Sequence, residues 1–509
     1  MKGIGILLVA VVIIISPCRL IAQSKQPASQ AVASWKKSHA LDILNDFRDL
    51  LSLPNVATDI KAMEKNADWI ETYLRKRQFK IQRLSAGGAP YVFAERTTPG
   101  ADKTVLVYAH FDGQPVKPEH WLTPAWSPQL RDNTIQAGGK NIPWPTHSAP
   151  LDDDWRIFAR SAGDDKAPVI ALMAAIDALD QANIDPVVNI KILLDGEEEA
   201  GSPTLAKLLK THGNLLTTDL MLFCDGPMHQ SRKRQLVFGV RGVSSVELRT
   251  YGPSRPLHSG HYGNWAPNAA EQMVAVLDSL HDKDGLIAVK DFYADVKPMT
   301  ESENKAINAM PEIEQALKHD LTINTSRLEK TRIEQAIMQP GIIITGIEVG
   351  STGEHTRNVL VPDASASINF RLVPGQTPEK VRQLIESHFK SLGYHVINNI
   401  ATSKVLLENA RVLSLEWSEG YPAFRADLDS PMARQLKQIL TQLDREPPLM
   451  TPTMGGSLPI YLFESVIDAP IIILPIANHD NNQHGPNENI RLGNLWDAIE
   501  IYAAVLTEL

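Results

Sequence analysis

The chain has 509 residues, 43% of them apolar and 21% charged. That composition excludes a disordered, collagen-like or coiled-coil protein and leaves room for about three domains, or two large ones. With 50 Lys+Arg against 59 Asp+Glu the net charge is −9, so a nucleic-acid partner has no global electrostatic support. Two cysteines exclude a disulfide scaffold.

Lys2 precedes an apolar run over 4–15, then Ser16, Pro17 and Cys18, with Ala22 before the polar Gln23-Ser24. This is the form of a secretory signal peptide, and the run is shorter than the roughly 20 apolar residues of a membrane span. Residues 1–22 are read as that signal. The protein is expected to be secreted or periplasmic, without a stable membrane partner. Cleavage would remove Cys18 and leave Cys224 alone.

Residues 23–34, polar and small, read as a linker. Leu41, Leu44, Phe47 and Leu51 recur at three and four residues, predicting an amphipathic helix over 35–53 that stops before Pro54. A second helix is predicted at 60–78. Short apolar runs at 91–94, 104–109, 188–194 and 220–224, with a helical stretch at 168–181, predict an α/β unit with a mainly parallel buried sheet. From about 236 the texture changes. Strands at 236–240 and 243–250, a helix at 268–281, strands at 341–349 and 364–372 and a helix at 378–392 suggest a separate α+β unit inserted in the first. The α/β texture returns near 421, with a helix at 430–443, a strand at 471–475 and a terminal helix from 495. The expected division is 35–235 and 421–509 for the outer unit and 236–420 for the inserted one.

Five segments could carry chemistry. The strand ending at Ala109 runs into His110-Phe111-Asp112, whose two polar side chains share one face at the edge where open α/β sheets bind ligands. A surface pair would look the same. Asp164-Asp165-Lys166 stands before a helix, where carboxylates can also cap and complement the dipole. Glu197-Glu198-Glu199 follows a buried strand, and three adjacent carboxylates there repel one another unless cations or protons compensate. Asp225 ends another apolar strand, and His484 lies in a distant Asn482–Glu488 loop. Nitrogen and carboxylate donors without thiolate suit zinc, cobalt or manganese.

His110-Phe111-Asp112, Asp164-Asp165-Lys166, Glu198-Glu199-Ala200-Gly201-Ser202, Asp225 and His484, in this order, resemble the zinc-dependent metallopeptidases that include carnosinases, dipeptidases, glutamate carboxypeptidases, aminoacylases and desuccinylases. The resemblance implies a zinc-peptidase, phosphorylase/hydrolase-like α/β domain interrupted by a ferredoxin-like lid that also dimerises. It implies two divalent ions, most simply zinc, with His110 and Asp225 on one, Glu199 and His484 on the other, and Asp164 between them. Asp112 would orient His110, and Glu198 would be the general base; no role is assigned to Glu197. His258, in Pro256-Leu257-His258-Ser259-Gly260, resembles a histidine that stabilises the oxyanion, often in the partner's site. Asn358, Arg371, Gly456 and Ser457 match substrate-contacting segments, with Arg371 the natural partner of a C-terminal carboxylate. Where the family usually has glycines this chain has Ala159, Ser161 and Ala167, and the longer stretch 131–154 is expected to form a flap over the site. The leading expectation is a peptidase acting on dipeptides or the C-terminus of short peptides, as a homodimer. An amidohydrolase on N-acyl amino acids and a non-catalytic binding protein with a retained metal site are the alternatives.

Overall fold

The computed structural model describes residues 28–146, 151–328 and 331–509. The signal peptide read at 1–22 lies outside the described residues. Helix α1 (Ala28–Leu51) buries Ile43, Leu44, Phe47 and Leu50. Ala31 and Val32 are buried with them, so residues 28–34 are helical rather than linker. Next, α2 (Ile60–Arg75) starts at Asp59, whose carboxylate accepts from the Ala62 N–H at 3.1 Å. Strands β1 (Lys80–Leu84), β2 (Tyr91–Arg96) and β3 (Lys103–His110) lead to β4 (Gln129–Arg131), β5 (Asn141–Ile142) and β6 (Arg156–Phe158). After α3 (Ala167–Gln181) come β7 (Val188–Asp195), α4 (Leu205–His212), β8 (Leu220–Phe223) and β9 (Gln235–Val237).

The chain then leaves this layer through β10 (Gly239–Val240) for β11 (Gly242–Tyr251), β12 (Leu257–His258), α5 (Ser259–Tyr262) and α6 (Ala269–Asp278). An excursion carrying α7 (Glu301–Asn308), α8 (Glu314–Asp320) and α9 (Ile333–Ile337) precedes β13 (Gly341–Glu348). The inserted unit is completed by β14 (Val359–Leu360), β15 (Asp363–Leu372), α10 (Pro378–Ser391), β16 (His395–Ile397), α11 (Ser403–Glu408) and β17 (Val412–Trp417). The return runs through β18 (Phe424–Arg425) to α12 (Pro431–Asp444), β19 (Leu449–Thr451), α13 (Ile460–Phe463), β20 (Ile471–Ile473), β21 (Asn489–Arg491) and α14 (Leu492–Glu508).

The main sheet has the order β1-β2-β7-β3-β8-β20-β9-β19. Its centre, β7-β3-β8-β20, is parallel, whereas β1-β2, β2-β7 and β20-β9 pair antiparallel. Helices α1, α3, α12 and α14 cover one face of it and α4 and α13 the other. That coverage explains why the central strands read as continuous apolar runs. In the inserted unit the order β13-β15-β11-β17-β16 carries α6 and α10 on one face. Its first four strands have the ferredoxin-like β-α-β-β-α-β connection.

Two expectations change. The stretch 236–240 does not begin the inserted sheet: β9 is buried throughout and pairs with β19 and β20 in the main sheet. The crossing lies instead at β10 and β18, which run side by side with Gly239 opposite Arg425 and Val240 opposite Phe424. Nor do the described residues of 131–154 form a flap over the site. β4, β5 and β6 join β21 in a four-stranded sheet, and Trp144 donates to Asn45 Oδ1 at 3.1 Å with the Arg48 guanidinium over its ring. An indole that can bury against α1 has no reason to hang over a polar cleft.

Candidate metal centre

The parallel centre of the sheet builds the site. In the register of β3 and β7, His110 lies opposite Asp195, so the two strands release Asp112 and the glutamate run side by side. β8 delivers Asp225 next to them. Gly196 makes the turn possible, because a Cβ there would sit 2.3 Å from Pro90 O. The three glutamates then separate. Glu197 is buried among structural donors: Tyr91 Oη and Thr204 N–H give to Oε1 at 2.8 Å each, and Ala89 N–H gives to Oε2 at 3.2 Å. Glu198 and Glu199 face the cluster.

His110 Nε2 lies 2.8 Å from Asp164 Oδ1 and 3.9 Å from Asp225 Oδ2. His484 Nε2 lies 3.2 Å from Asp164 Oδ2 and 3.2 Å from Glu199 Oε2. Two triads thus form, His110-Asp164-Asp225 and Asp164-Glu199-His484, each with its ligand atoms within 4.8 Å of one another. They share Asp164, one oxygen facing each triad. Asp164 Oδ2 is buried without a hydrogen-bond donor despite its nearness to His484, an orphan acceptor aimed into the cluster. Cys224, next to Asp225, contributes nothing here; its thiol is buried and directed to Leu222 O.

Asp112 supports this set from behind. Its Oδ1 sits 3.2 Å from His110 Nδ1, and its two oxygens accept the N–H groups of Glu198 and Glu199 at 3.1 and 3.0 Å. It therefore fixes the ring tautomer and the direction of both glutamates. Gln114 Nε2 donates to Glu199 Oε2 at 2.7 Å. Asp165 turns away and accepts from His110 N–H at 3.2 Å. Ser161, where a glycine was expected, adopts φ 62° and uses its hydroxyl: Oγ donates to Asp112 O and accepts from Asn55 Nδ2.

The electrostatics describe an unneutralised negative cluster. Burial, and then the carboxylates of Asp225, Asp164 and Glu199 against the opposing effect of His110, push Glu198 well above the usual range. Burial and Asp164 push Glu199 up to about 8, and burial and Asp164 push Asp225 up to about 6. Burial disfavours charge on His110, but Asp112 and Asp164 outweigh it and hold the ring above its ordinary value. Oxygen and nitrogen donors in two triads, with one shared carboxylate and excess negative charge, fit two divalent cations.

The remaining expected site residues fall into two groups. Arg371 Nη1 donates to Ser457 Oγ at 2.9 Å, and Gly456 O accepts from Arg241 N–H at 3.0 Å, so the lid sheet meets the 455–457 loop. His258 and Asn358 sit together at the β12-β14 ribbon, both exposed, with Ser259 N–H donating to Asn358 O at 2.9 Å. Sequence reasoning passed over Glu488, Gln114, Asn55 and Tyr421. Only Glu488 stood inside a motif, and its partners are distant in sequence.

The sequence profile of Peptidase family M20/M25/M40 matches residues 106–508. The Cys-Gly metallodipeptidase of Schizosaccharomyces pombe is 25% identical over 479 residues, covering 90% of this chain and 94% of its own length. Human Beta-Ala-His dipeptidase is 26% identical over 432 residues, 82% of this chain and 77% of that one. The M20 family metallo-carboxypeptidase Sso-CP2 from Sulfolobus solfataricus superposes with a TM-score of 0.72 at 25% identity, covering 92% of this chain and 99% of that chain. Human carnosine dipeptidase 1 superposes with a TM-score of 0.71 at 21% identity, over 94% and 99% of the two chains. With the profile matched across most of its length and the paired triads in place, the chain belongs to peptidase family M20/M25/M40 and is a metallopeptidase-type hydrolase.

Proposed function

We propose that the protein is an exported peptidase hydrolysing dipeptides or the C-terminal residue of short peptides. The observation that carries this reading is Asp164, whose two oxygens face two separate ligand sets. His110 and Asp225 would hold one divalent ion, Glu199 and His484 the other, with zinc the simplest choice and cobalt or manganese able to serve. Two ions bound there would supply Lewis acidity toward a peptide carbonyl and toward water. Glu198, held at its N–H by Asp112, takes the proton of the attacking water and returns it to the leaving amine. Arg371 and the Gly456-Ser457 loop would receive the substrate's carboxylate. Relatives named for dipeptide substrates support the substrate size. Export rests on the reading of residues 1–22, and no helix among the described residues is long and apolar enough to cross a membrane.

We also propose a homodimer joined through the lid, with His258 entering the partner's site to stabilise the oxyanion. Support comes from β13, an edge strand with exposed Ile343, Ile344 and Ile347, and from the exposure of His258.

The test is hydrolysis of a dipeptide panel and matched N-acyl amino acids by metal-reconstituted protein. Dipeptide turnover that falls by about 10²–10⁴-fold in Glu198→Gln, with metal content intact, is the expected result. Turnover confined to N-acyl substrates would move the reading to a deacylase.

A further inference from the structure

A cavity of about 980 Å³ opens between the lid and its helical excursion, and no residue of the two metal triads lines it. One side is the start of β13 with the approach to β11; the other is α8, the chain that follows it and α9. Helix α8 buries none of its residues. Its Leu317, and Leu321 and Ile323 just beyond it, line the cavity, as do Leu286 and Ile342. Leu321 is 55% exposed and Ile323 46%, so apolar surface that a core would ordinarily cover is left to water. Mainly apolar walls with a few polar groups, around a space of several hundred Å³, are the mark of a small-molecule site.

The uncompensated charge on these walls is positive. Arg241, just ahead of β11, donates through Nη2 to Gln339 O at 2.9 Å, and its buried Nε has no partner. Arg327 gives Nη1 to Ile342 O at 3.5 Å. A Cβ placed on Gly341 would come 3.2 Å from Arg241 Nη2, so the two guanidiniums are held at the first two residues of β13. Neither has a carboxylate within ion-pair distance among the described residues. Glu314, the one acidic residue among the described walls, is already used: it accepts Ile333 N–H at 3.2 Å and stands 3.6 Å from Arg332 Nε. Arg332 is compensated in turn, by Glu334 at 3.3 Å and by the carbonyls of Ile307, Met310 and Pro311. Arg241 and Arg327 are left as cations without a counter-ion beside an apolar space, a costly arrangement that an anion would relieve.

We propose that this cavity binds a single-chain amphipathic carboxylate of the fatty-acid class, its head between Arg241 and Arg327 and its chain along Leu286, Leu317 and Leu321. Guanidinium forks take a carboxylate bidentately, and each methylene removed from water adds to the affinity. The occupant would supply the core that α8 lacks and join the excursion to the lid sheet. The site is separate from the peptidase centre and does not depend on what that centre cleaves.

The experiment is calorimetric binding of decanoate, below its micelle concentration, to the metal-reconstituted protein, with butyrate and decanol as comparisons. Decanoate should bind one molecule per chain, at least about tenfold tighter than butyrate, which lacks the chain, or decanol, which lacks the charge. Arg327→Gln should weaken decanoate by about tenfold and leave decanol unchanged. Leu321→Asp, at an exposed position that folding tolerates, should weaken both ligands, and neither substitution should alter peptide turnover. Decanoate held by the metal ions instead would inhibit hydrolysis competitively and ignore both substitutions, and that result overturns the proposal. So does an absence of binding, or equal affinity for decanoate and decanol. A cavity filled by a second copy of the chain would show as loss of the dimer in Leu321→Asp with no decanoate bound by the wild type, which overturns it as well.

Discussion

Glu488 offers no ligand atom to the triads, yet it determines where Asp164 can be. Its carboxylate is fully buried and accepts from Arg160 Nη1 at 2.8 Å, Ser161 N–H at 2.9 Å, Gly163 N–H at 2.9 Å and Asp164 N–H at 3.0 Å. The loop that bears His484 is thereby bonded to the loop that bears Asp164. Glu488→Gln would turn an amide N–H₂ toward groups that are all donors and leave Arg160 buried without its anion. Breaking one partner of a buried ion pair typically costs about 3–5 kcal/mol. The expected outcome is a lower unfolding midpoint together with reduced metal stoichiometry by elemental analysis; full occupancy at wild-type stability would refute it. A second comparison tests the sharing of Asp164. Asp164→Ala should lose more metal than Asp225→Ala, since one side chain serves both triads and the other only one; equal retention would contradict the bridge. His110, Glu199 and Asp225 were legible because each follows an apolar strand that ends abruptly in polar groups, while Asp164 and His484 were legible only through the resemblance of their motifs. Glu488 was not, because its partners are backbone N–H groups more than 320 positions away, which no local pattern reveals.

At the level of elements, the same two loops are joined again through β6 and β21. Arg156 on β6 sends Nη1 and Nη2 to the two oxygens of Asp480 at 2.9 and 2.8 Å, and Nη1 also reaches Asn489 Oδ1 at 2.9 Å. Burial acts to raise Asp480, but the Arg156 fork and Asn478 outweigh it and hold the carboxyl below its usual range. A carboxyl with a lower pKa folded than unfolded stabilises the fold above the unfolded value of about 3.9, and that contribution is lost as the pH falls below it. Asp480→Asn should therefore cost about 1–2 kcal/mol at pH 7. The gap from wild type should close as denaturation is repeated below about pH 4, and a gap that persists there would rule the pair out as its source. Strands and helices of the main sheet were readable from their apolar runs because burial on both faces writes itself into composition. The membership of β9 was not, since a buried triplet is compatible with either sheet and the pairing partners, β19 and β20, lie far along the chain. The excursion carrying α7, α8 and α9 also escaped notice. It is clamped from outside the lid, by Arg425 to Glu303 at 3.0 Å and by Ser302 to Asp429.

For the whole molecule, the proposed dimer makes two demands. Lysines at Ile343 and Ile347 would put charge on the open edge of β13, and the double variant should sediment as a monomer with unchanged far-ultraviolet circular dichroism. A dimer that survives both would place the interface elsewhere. Mixing His258→Ala with Glu198→Gln under subunit exchange should restore part of the activity, since hybrid dimers contain one site with both groups intact. No recovery despite exchange confirmed by mass would confine His258 to its own chain. The inserted arrangement was legible as a change and return of texture, because two cores with different periodicities alternate along the sequence.

The discontinuity of the main sheet also orders events in time. β20, which completes the parallel centre, and the His484 loop both come from the last part of the chain. Long-range pairings of this kind form late, because loop-closure entropy must be met before the contacts repay it. During synthesis the emerging polypeptide carries His110, Asp164 and Asp225 before His484 has been added, while the lid has all its strands and can mature as a local unit. Glu488 reaches the Asp164 turn only when the closing segment docks, so the paired ligand sets are finished at the end of folding.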